Sequence, residues 1–271
     1  MMIFAGKCFA FLKRDLLENL SYKSAVLFDV LSVLAHLVTF FFITKLIGAG
    51  AGVYLKEYGG SYFPFVLTGI AFSGFSASAL TAFSSAVIKE QSTGTLEAIL
   101  VTPTSPWTVM GASFVWTFLA SLAEVALYLV LGAGVFHVDF SRINVPASVI
   151  FLLLTVVSLS GPGLLSAAFT LVFKRGDPVS YFFNAGSRFL AGVYFPISLL
   201  PTGLQRLSGC LPLTYSLRAL RGAVMGGKGV GDLGHELVAL LLFSLICLPV
   251  SVVLFNRALS RAKKEGSLSF V

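Results

Sequence analysis

Charged residues are scarce in this sequence. Only 11% of its 271 residues are Asp, Glu, Lys or Arg, whereas 56% are hydrophobic and the mean hydropathy is +0.91. So little polar surface cannot coat a water-soluble globule, and this composition is typical of a protein that crosses a membrane several times. The three cysteines, Cys8, Cys210 and Cys247, are too few and too scattered for a disulfide framework or a thiolate metal site.

Motifs of nucleotide hydrolysis and metal-dependent catalysis are also missing. No HExxH, G-x-S-x-G or G-x-G-x-x-G motif stands in a usable context. The run from Gly222 to Lys228 has the form G-x-x-x-x-G-K, but Gly229 replaces the Ser or Thr that a phosphate-binding loop needs for Mg²⁺, and no buried strand precedes it. We therefore expect no cofactor on this chain, and any ATP chemistry belongs to a separate chain.

The net charge of +7 does not indicate a nucleic-acid partner. The Lys and Arg residues gather at the ends of apolar segments instead of forming one basic patch. The positive-inside bias accounts for this pattern and places both termini in the cytoplasm. The first twenty residues do not form a signal peptide, because Lys13, Arg14, Asp15 and Glu18 interrupt their apolar stretch.

Six apolar stretches are long enough to cross a hydrocarbon core of roughly 30 Å as helices. They cover residues 25–47, 61–88, 106–136, 146–173, 178–200 and 237–255. The preceding residues have an amphipathic pattern that predicts an interfacial helix over residues 1–24, with apolar positions at Ala5, Phe9, Leu12, Leu16 and Leu20. An amphipathic segment packed on the bundle is the alternative. Residues 256–271 are predicted to form a cytosolic tail.

The segment after the second span contains the start and stop signals of a short, separate helix. Gly94 can end the preceding helix, Thr95 can cap a new one, and Pro103 stops it. Ser105 then caps the third span, with Pro106 at its first position. The pattern predicts a rigid cytosolic protrusion between two membrane helices, on which a soluble partner could act; an ordinary surface loop is the alternative.

A second irregular region lies between the fifth and sixth spans, over residues 194–232. Pro196, Pro201 and Pro212 divide it into apolar pieces that are too short to cross a membrane. Re-entrant or interfacial half-helices fit this pattern. Such backbone is tolerated at membrane depth only where protein or a water-filled cavity covers it, so the region is a candidate for the outer mouth of a pathway.

At these two regions the chain closely resembles the type-2 permease family of ATP-binding-cassette exporters. The resemblance is carried by Gly-Thr-Leu-Glu-Ala-Ile-Leu-Val-Thr-Pro at residues 94–103 and by Pro-Leu-Thr-Tyr-x-Leu-x-x-x-Arg-Gly at residues 212–222. The order of spans and the short fourth-to-fifth connection also match, so the likeness covers nearly the whole chain. Within the family, the sequences of these two regions more closely resemble the multidrug and antibiotic-export branch than the polysaccharide branch.

The resemblance implies a single transmembrane permease domain over residues 1–271 in the plasma membrane. It also implies two partners besides membrane lipid: a cytosolic ABC ATPase that holds ATP and Mg²⁺, and a second permease copy, identical or paralogous. By resemblance, the interfacial helix contacts the ATPase, and so do Glu90, Gly94, Thr95, Leu96, Glu97 and Pro103, with a lesser contact at Lys174, Arg175 and Asp177. The implied outer gate contains Phe195, Pro196, Pro201, Pro212, Thr214, Tyr215 and Arg221.

Four ionisable residues fall inside the predicted spans: Asp29, His36, Glu124 and Arg188. A charge in the bilayer core costs several kcal/mol, so such residues are functional candidates. Asp29 is near enough to a span end to reach the headgroups, and His36 is more typical of a hydrogen-bonded bundle histidine than of a ligand. Glu124 and Arg188 lie near mid-span with opposite charges, which leads to the hypothesis that they pair with each other.

The sequence therefore predicts an all-α membrane protein with six transmembrane helices, an N-terminal interfacial helix and short re-entrant helices before the last span. Its predicted function is the permease subunit of an ATP-driven exporter. A lipid-linked glycan or polysaccharide permease of the same family is the alternative. A passive channel and an intramembrane enzyme remain as rivals, disfavoured by the scarcity of polar residues in the spans and by the lack of a recognised catalytic set.

Overall fold

The protein is mainly helical and has no strand in the part of the chain that its computed structural model describes, which comprises residues 13, 14, 17, 23–47, 50, 52, 54–55, 60–94, 106–173 and 177–265. The helices there are α1 (Lys23–Ile47), α2 (Tyr62–Ser92), α3 (Pro106–Gly134), α4 (Val145–Phe173), α5 (Pro178–Leu190), α6 (Thr202–Ser208), α7 (Pro212–Val224) and α8 (Gly234–Glu265). Single 3₁₀ turns cover Ile197–Leu199 and Gly231–Leu233. The prediction of an all-α membrane protein is confirmed.

Five of the described helices, α1, α2, α3, α4 and α8, are long and apolar enough to cross a membrane. Among the described residues, five helices thus have the length of a full span, where six spans were predicted. The fifth predicted span, residues 178–200, contains α5, a helix of 13 residues that ends at Leu190. At a rise of about 1.5 Å per residue, α5 alone is shorter than the hydrocarbon core.

The early end of α5 has a local cause and a distant one. Gly192 has φ +80°, a left-handed conformation that terminates a helix, and Pro196 lies four residues further on. The carbonyl groups of Gly192 and Val193 are released from helical bonding and accept hydrogen bonds from the side chain of Arg221 on α7. The apolar run over residues 178–200 therefore has the length of one span, but its second half forms a turn instead of continuing the helix.

Helices α2 and α4 form the centre of the bundle. Of the most apolar 18-residue window in each helix, 72% is buried in α2 and 61% in α4, against 17% or less in α1, α3 and α8. α3 packs along α2, and α8 packs along α4. The outer helices thus leave much apolar surface for lipid or for partner chains.

Small residues allow α4 to approach its two main neighbours closely. A Cβ atom added at Gly161 would lie 2.7 Å from the Cβ of Cys247 on α8, and one added at Gly163 would lie 2.6 Å from the carbonyl oxygen of Leu80 on α2. Membrane helices commonly use small residues at such contacts. Pro162 lies between the two glycines, and α4 continues through it.

Several predicted boundaries are confirmed. Gly94 follows the end of α2 with φ +67°, and α3 begins at Pro106. The short helices predicted before the last span are present as α6 and α7, and most side chains of α7 are buried against the bundle. The last span is longer than predicted, because α8 extends from Gly234 to Glu265. Pro249 lies inside this helix. The interfacial helix predicted for residues 1–24 lies almost wholly outside the described residues.

Candidate functional site

Arg221 organises the end of the bundle where the outer gate was predicted. Its side chain is only 3% exposed. The guanidinium donates to the carbonyl oxygens of Gly192 at 2.8 Å and Val193 at 3.0 Å after α5, and to that of Phe65 on α2 at 3.0 Å. It also lies over the Phe65 ring, with Cζ 3.6 Å from the ring centroid. One cation thus joins α7, α2 and the turn after α5.

The other predicted gate residues shape the two short helices. Thr214 on α7 donates to the carbonyl oxygen of Ser208 at 2.7 Å, and the hydroxyl of Tyr215 donates to that of Gly209 at 2.9 Å. Both acceptors lie at the end of α6, where carbonyl groups have no helical partner, so the first turn of α7 caps α6. The remaining members stand at segment starts: Pro196 before the 3₁₀ turn, Pro201 before α6 and Pro212 at the start of α7. Phe195 packs edge-on against Phe189.

A cavity of about 1250 Å³ lies beside this gate. Its wall includes Gly192, Pro196 and Arg221 from the gate, and it also carries exposed charged side chains from three other places. These are Asp139 and Arg142 between α3 and α4, Arg218 on α7 and Lys228 after α7. The cavity is therefore polar and large enough for a sizeable group, whereas the helix surfaces around it are apolar.

Asp177 lies at the opposite end of the bundle and joins three helices. It is the N-cap of α5, where its side chain accepts a hydrogen bond from the backbone N–H of Ser180 at 2.9 Å. The hydroxyl groups of Ser84 on α2 and Ser166 on α4 also donate to this carboxylate. Asp177 was predicted from resemblance as an ATPase contact. The structure turns its side chain inward, where it positions the start of α5.

Replacing Asp177 with alanine is expected to destabilise the protein by about 2 kcal/mol, because the cap and two further hydrogen bonds are lost. Burial alone would raise the pKa of Asp177, but hydrogen bonds from Ser166, Ser84 and Ser180 outweigh this effect and lower the pKa. Since the pKa falls on folding, this stabilisation is present at neutral pH and is lost as the pH drops below about 4. Thermal unfolding in detergent at several pH values measures both effects.

Asp232→Ala is the matched control for this prediction. Asp232 also accepts a backbone hydrogen bond, from Gly229 at 2.9 Å, but it lies in an exposed turn and joins no helices. We expect the control to unfold within a degree or two of the parent protein. Equal losses of stability in the two variants would contradict the role of Asp177 in joining three helices. So would a loss of stability in Asp177→Ala that is the same at pH 3 as at neutral pH.

Glu90, the first residue of the predicted coupling segment, is also turned inward. It is 4% exposed, and Arg14 donates to its carboxylate at 3.3 Å. Arg14 of the N-terminal segment therefore contacts the end of α2, a few residues before the predicted coupling helix. No pattern in the sequence indicated this pair. Six of the predicted ATPase contacts lie outside the described residues: Thr95, Leu96, Glu97, Pro103, Lys174 and Arg175.

The structure brings the intramembrane ionisable residues to one region but does not join them directly. Asp29, His36 and Arg188 are the electrostatic neighbours of Glu124. The carboxylate of Glu124 lies beside Gly74 of α2. Among the described residues, no ion pair links Glu124 to Arg188, and all four side chains are exposed on the single chain. The hypothesis that Glu124 and Arg188 pair with each other therefore stays a prediction.

The residues that complete both ends were missed for a common reason. Phe65 and Gly192 at one end, and Ser84 and Ser166 at the other, are uncharged residues inside apolar runs, so neither charge nor motif marks them. The one available signal was Gly192 followed by Pro196, a pair that is typical of a chain reversal.

Comparison with known proteins agrees with this architecture. Residues 6–225 match the model of the family described as ABC-2 type transporter. The chain is 28% identical over 218 residues to the inner membrane transport permease YadH of Escherichia coli K12, covering 78% of this chain and 82% of the relative. It is 29% identical over 248 residues to nodulation protein J of Sinorhizobium fredii, covering 89% and 90%. Nodulation protein J of Rhizobium leguminosarum is 26% identical over 250 residues, covering 89% and 92%. The chain belongs to the ABC-2 type transporter family, and it is therefore the membrane permease subunit of an ABC transporter.

Proposed function

We propose that this permease works as an exporter of the multidrug or antibiotic-export type, driven by a separate cytosolic ATPase that binds ATP and Mg²⁺. The ATPase acts on residues 90–103 and, to a lesser degree, on residues 174–177. Two permease copies provide the path. Both termini lie in the cytoplasm, so the end of the bundle that contains Glu90 and Asp177 faces the ATPase, and the end that contains Arg221 faces outward.

The observation that supports this mechanism most directly is the continuity of α2. This helix runs from Tyr62 to Ser92 without a break. Near its end, Glu90 binds Arg14 and Ser84 binds Asp177, whereas near its start the Phe65 carbonyl group binds Arg221. A helix moves as a stiff element, so a displacement of the coupling segment reaches the gate through α2 without an intervening flexible joint.

The cavity beside Arg221 is the exit side of the proposed path. Its charged side chains can form hydrogen bonds and ion pairs with a polar group that has left the apolar part of the bundle. The gate turn at Gly192 and Val193 forms part of its wall and is held by Arg221. Movement of α2 changes the position of the Phe65 carbonyl group relative to these two carbonyl groups, which gives the gate a means to open when the ATPase acts.

Replacement of residues 95–100 by a Gly/Ser linker is expected to uncouple the permease from its ATPase. The parent chain, purified with a tag in mild detergent, should carry a stoichiometric ATP-binding-cassette ATPase. The variant should lose at least about 90% of it, because the short helix predicted by Thr95 and Pro103 can no longer form. Mass spectrometry identifies the bound protein, and densitometry gives the ratio of the two chains.

The matched control replaces residues 226–231, also six in number, with the same linker. This glycine-rich stretch lies after α7, at the opposite end of the bundle from Glu90, so the control should retain the ATPase. Equal loss in both variants would mean that the linker acts through folding, and a parent chain that copurifies with no ATPase would refute the proposed coupling.

A further inference from the structure

The cavity beside Arg221 contains three further cationic side chains, which take no part in holding the gate turn. Arg142, Arg218 and Lys228 line its wall, and each is exposed. Asp139 and Glu236 also line this cavity, but among the described residues no ion pair joins any of the three cations to a carboxylate. The cations of the wall thus outnumber its acids, and their hydrogen-bonding capacity is available to a ligand.

Backbone contacts hold the segments of Arg142 and Lys228 together. The connection between α3 and α4 packs on the segment after α7, where the backbone N–H of Asn144 donates to the carbonyl oxygen of Ala223 at 2.9 Å. Gly227 has φ +65°, and a Cβ atom added there would lie 2.8 Å from the carbonyl oxygen of Arg142. The two cations therefore project from adjoining segments whose positions are fixed before a ligand binds, which lowers the cost of binding.

Lys228 is also placed relative to Arg218. The backbone N–H of Lys228 donates to the carbonyl oxygen of Gly222 at 3.0 Å, and a Cβ atom added at Gly222 would lie 3.4 Å from Cδ of Lys228. Gly222 follows Arg218 by four residues on α7, so the two share one face of the helix. The stem of Lys228 therefore lies over the face that carries Arg218, and cations from three segments line one cavity.

The chemistry of these cations favours a phosphate group. Guanidinium groups bind oxyanions through a planar fork, and an ammonium group acts as a point charge. The oxygens of a phosphate point in several directions, so groups from three segments can bind it at once, whereas both oxygens of a carboxylate point the same way. The cavity, of about 1250 Å³, is far larger than a phosphate ion, and its wall also includes the apolar side chains of Pro64, Ile197 and Met225.

The position of the cavity favours a lipid as the carrier of this phosphate. Its wall contains Ser61 and Pro64 at the start of α2, and Asp139 and Arg142 between the end of α3 and the start of α4. These are the ends of three membrane-spanning helices. The ends of such helices lie at the level of the lipid headgroups.

We propose that this cavity is a binding site for an anionic phospholipid, whose phosphate group is held by Arg142, Arg218 and Lys228 while its apolar part contacts the neighbouring wall. The gate turn forms part of the same wall, so an occupant contacts it, and lipid binding is linked to the state of the gate. The proposal adds a ligand to the proposed exporter. Its test needs no ATPase, so either proposal can fail without the other.

The test measures protection of a thiol placed in the cavity of the full-length chain. Cys8, Cys210 and Cys247 are replaced by alanine, and Ser198→Cys is added, since Ser198 lines the cavity and is exposed. In detergent, dioctanoyl phosphatidylglycerol should slow maleimide labelling by at least about threefold, because a bound lipid covers the site. In the double variant Arg142→Gln with Lys228→Gln, the concentration that gives half of this protection should rise by roughly tenfold or more, because two charge-assisted contacts are lost.

The matched control is the double variant Lys45→Gln with Arg206→Gln. It removes two exposed cations from α1 and α6, neither of which lines this cavity, and its protection should equal that of the parent. Arg218→Gln, a single exposed change, should also weaken protection severalfold. Thermal unfolding of each variant without lipid reports its folding. Equal loss of protection in the control, or full protection in both cavity variants, would overturn the proposal.

Two further probes identify what the cavity binds. Dioctanoylglycerol has the same tails without a phosphate group, and protection by it equal to that by dioctanoyl phosphatidylglycerol would overturn the phosphate site. Inorganic phosphate tests whether the lipid part matters. Weaker protection by inorganic phosphate at the same concentration supports a phospholipid, whereas equal protection would assign the site to soluble phosphate compounds and overturn the lipid as its ligand.

Discussion

Replacement of Arg221 by glutamine is expected to lower the thermal unfolding midpoint of the detergent-solubilised protein by about 10 °C. The arginine is 3% exposed and donates to three backbone carbonyl groups on two other segments. A buried acceptor that loses its donor costs about 1–3 kcal/mol. Glutamine is shorter and its amide group has only two N–H donors, so at least one of the three acceptors is left unbonded. We therefore expect a loss of about 3 kcal/mol.

Two companion variants locate the cause of this loss. Arg221→Lys keeps the charge, but its donors lie on one nitrogen and lack the planar fork that places Nη1 and Nη2 at the three carbonyl groups, so its midpoint should fall nearly as far. Arg218→Gln removes the same charge from the same helix at an exposed position and should leave the midpoint within about 2 °C of the parent. A fall in Arg218→Gln equal to that in Arg221→Gln, or full stability in Arg221→Lys, would show that charge and not the three-way contact matters.

Most of the bundle follows from the hydropathy of the sequence, because a membrane helix must satisfy its own backbone and needs a long apolar run to do so. The end of α2 and the start of α3 also follow, since Gly94 and Pro106 act on their own neighbours. The helix of the fifth predicted span is shorter than the sequence predicted. Its end depends on Arg221, which lies 29 residues after Gly192, and no local pattern reports a contact over that distance.

The candidate sites show the same division. The irregular region around Pro196, Pro201 and Pro212 was recognisable because proline breaks helices wherever it stands. The role of Asp177 was not, because its partners Ser84 and Ser166 come from two other helices and look like ordinary small residues of membrane spans. The sequence also indicated that Glu124 and Arg188 need partners, but depth in a span does not show which residues lie close enough to pair.

The glycines on either side of Pro162 illustrate a further limit. No pattern in the sequence shows that both glycines are contact points, Gly161 for α8 and Gly163 for α2. Gly163 faces a backbone carbonyl group, that of Leu80, which cannot rotate away as a flexible side chain could. The space at this position is thus fixed by the separation of the two central helices.

Gly163→Val is accordingly expected to destabilise the protein by about 3 kcal/mol, the upper end for overpacking of a well-packed core. Its Cβ would stand 2.6 Å from the Leu80 carbonyl oxygen, so α2 and α4 must separate, and both ends of the bundle depend on α2. Gly111→Val in α3 is the matched control, since a Cβ there meets no atom within 4 Å, and the change should be nearly neutral. The thermal unfolding midpoints of the two purified variants, measured in the same detergent, show whether Gly163→Val is the less stable. Equal midpoints would mean that the central helices yield at Gly163, and that α2 is not the stiff element on which the proposed coupling relies.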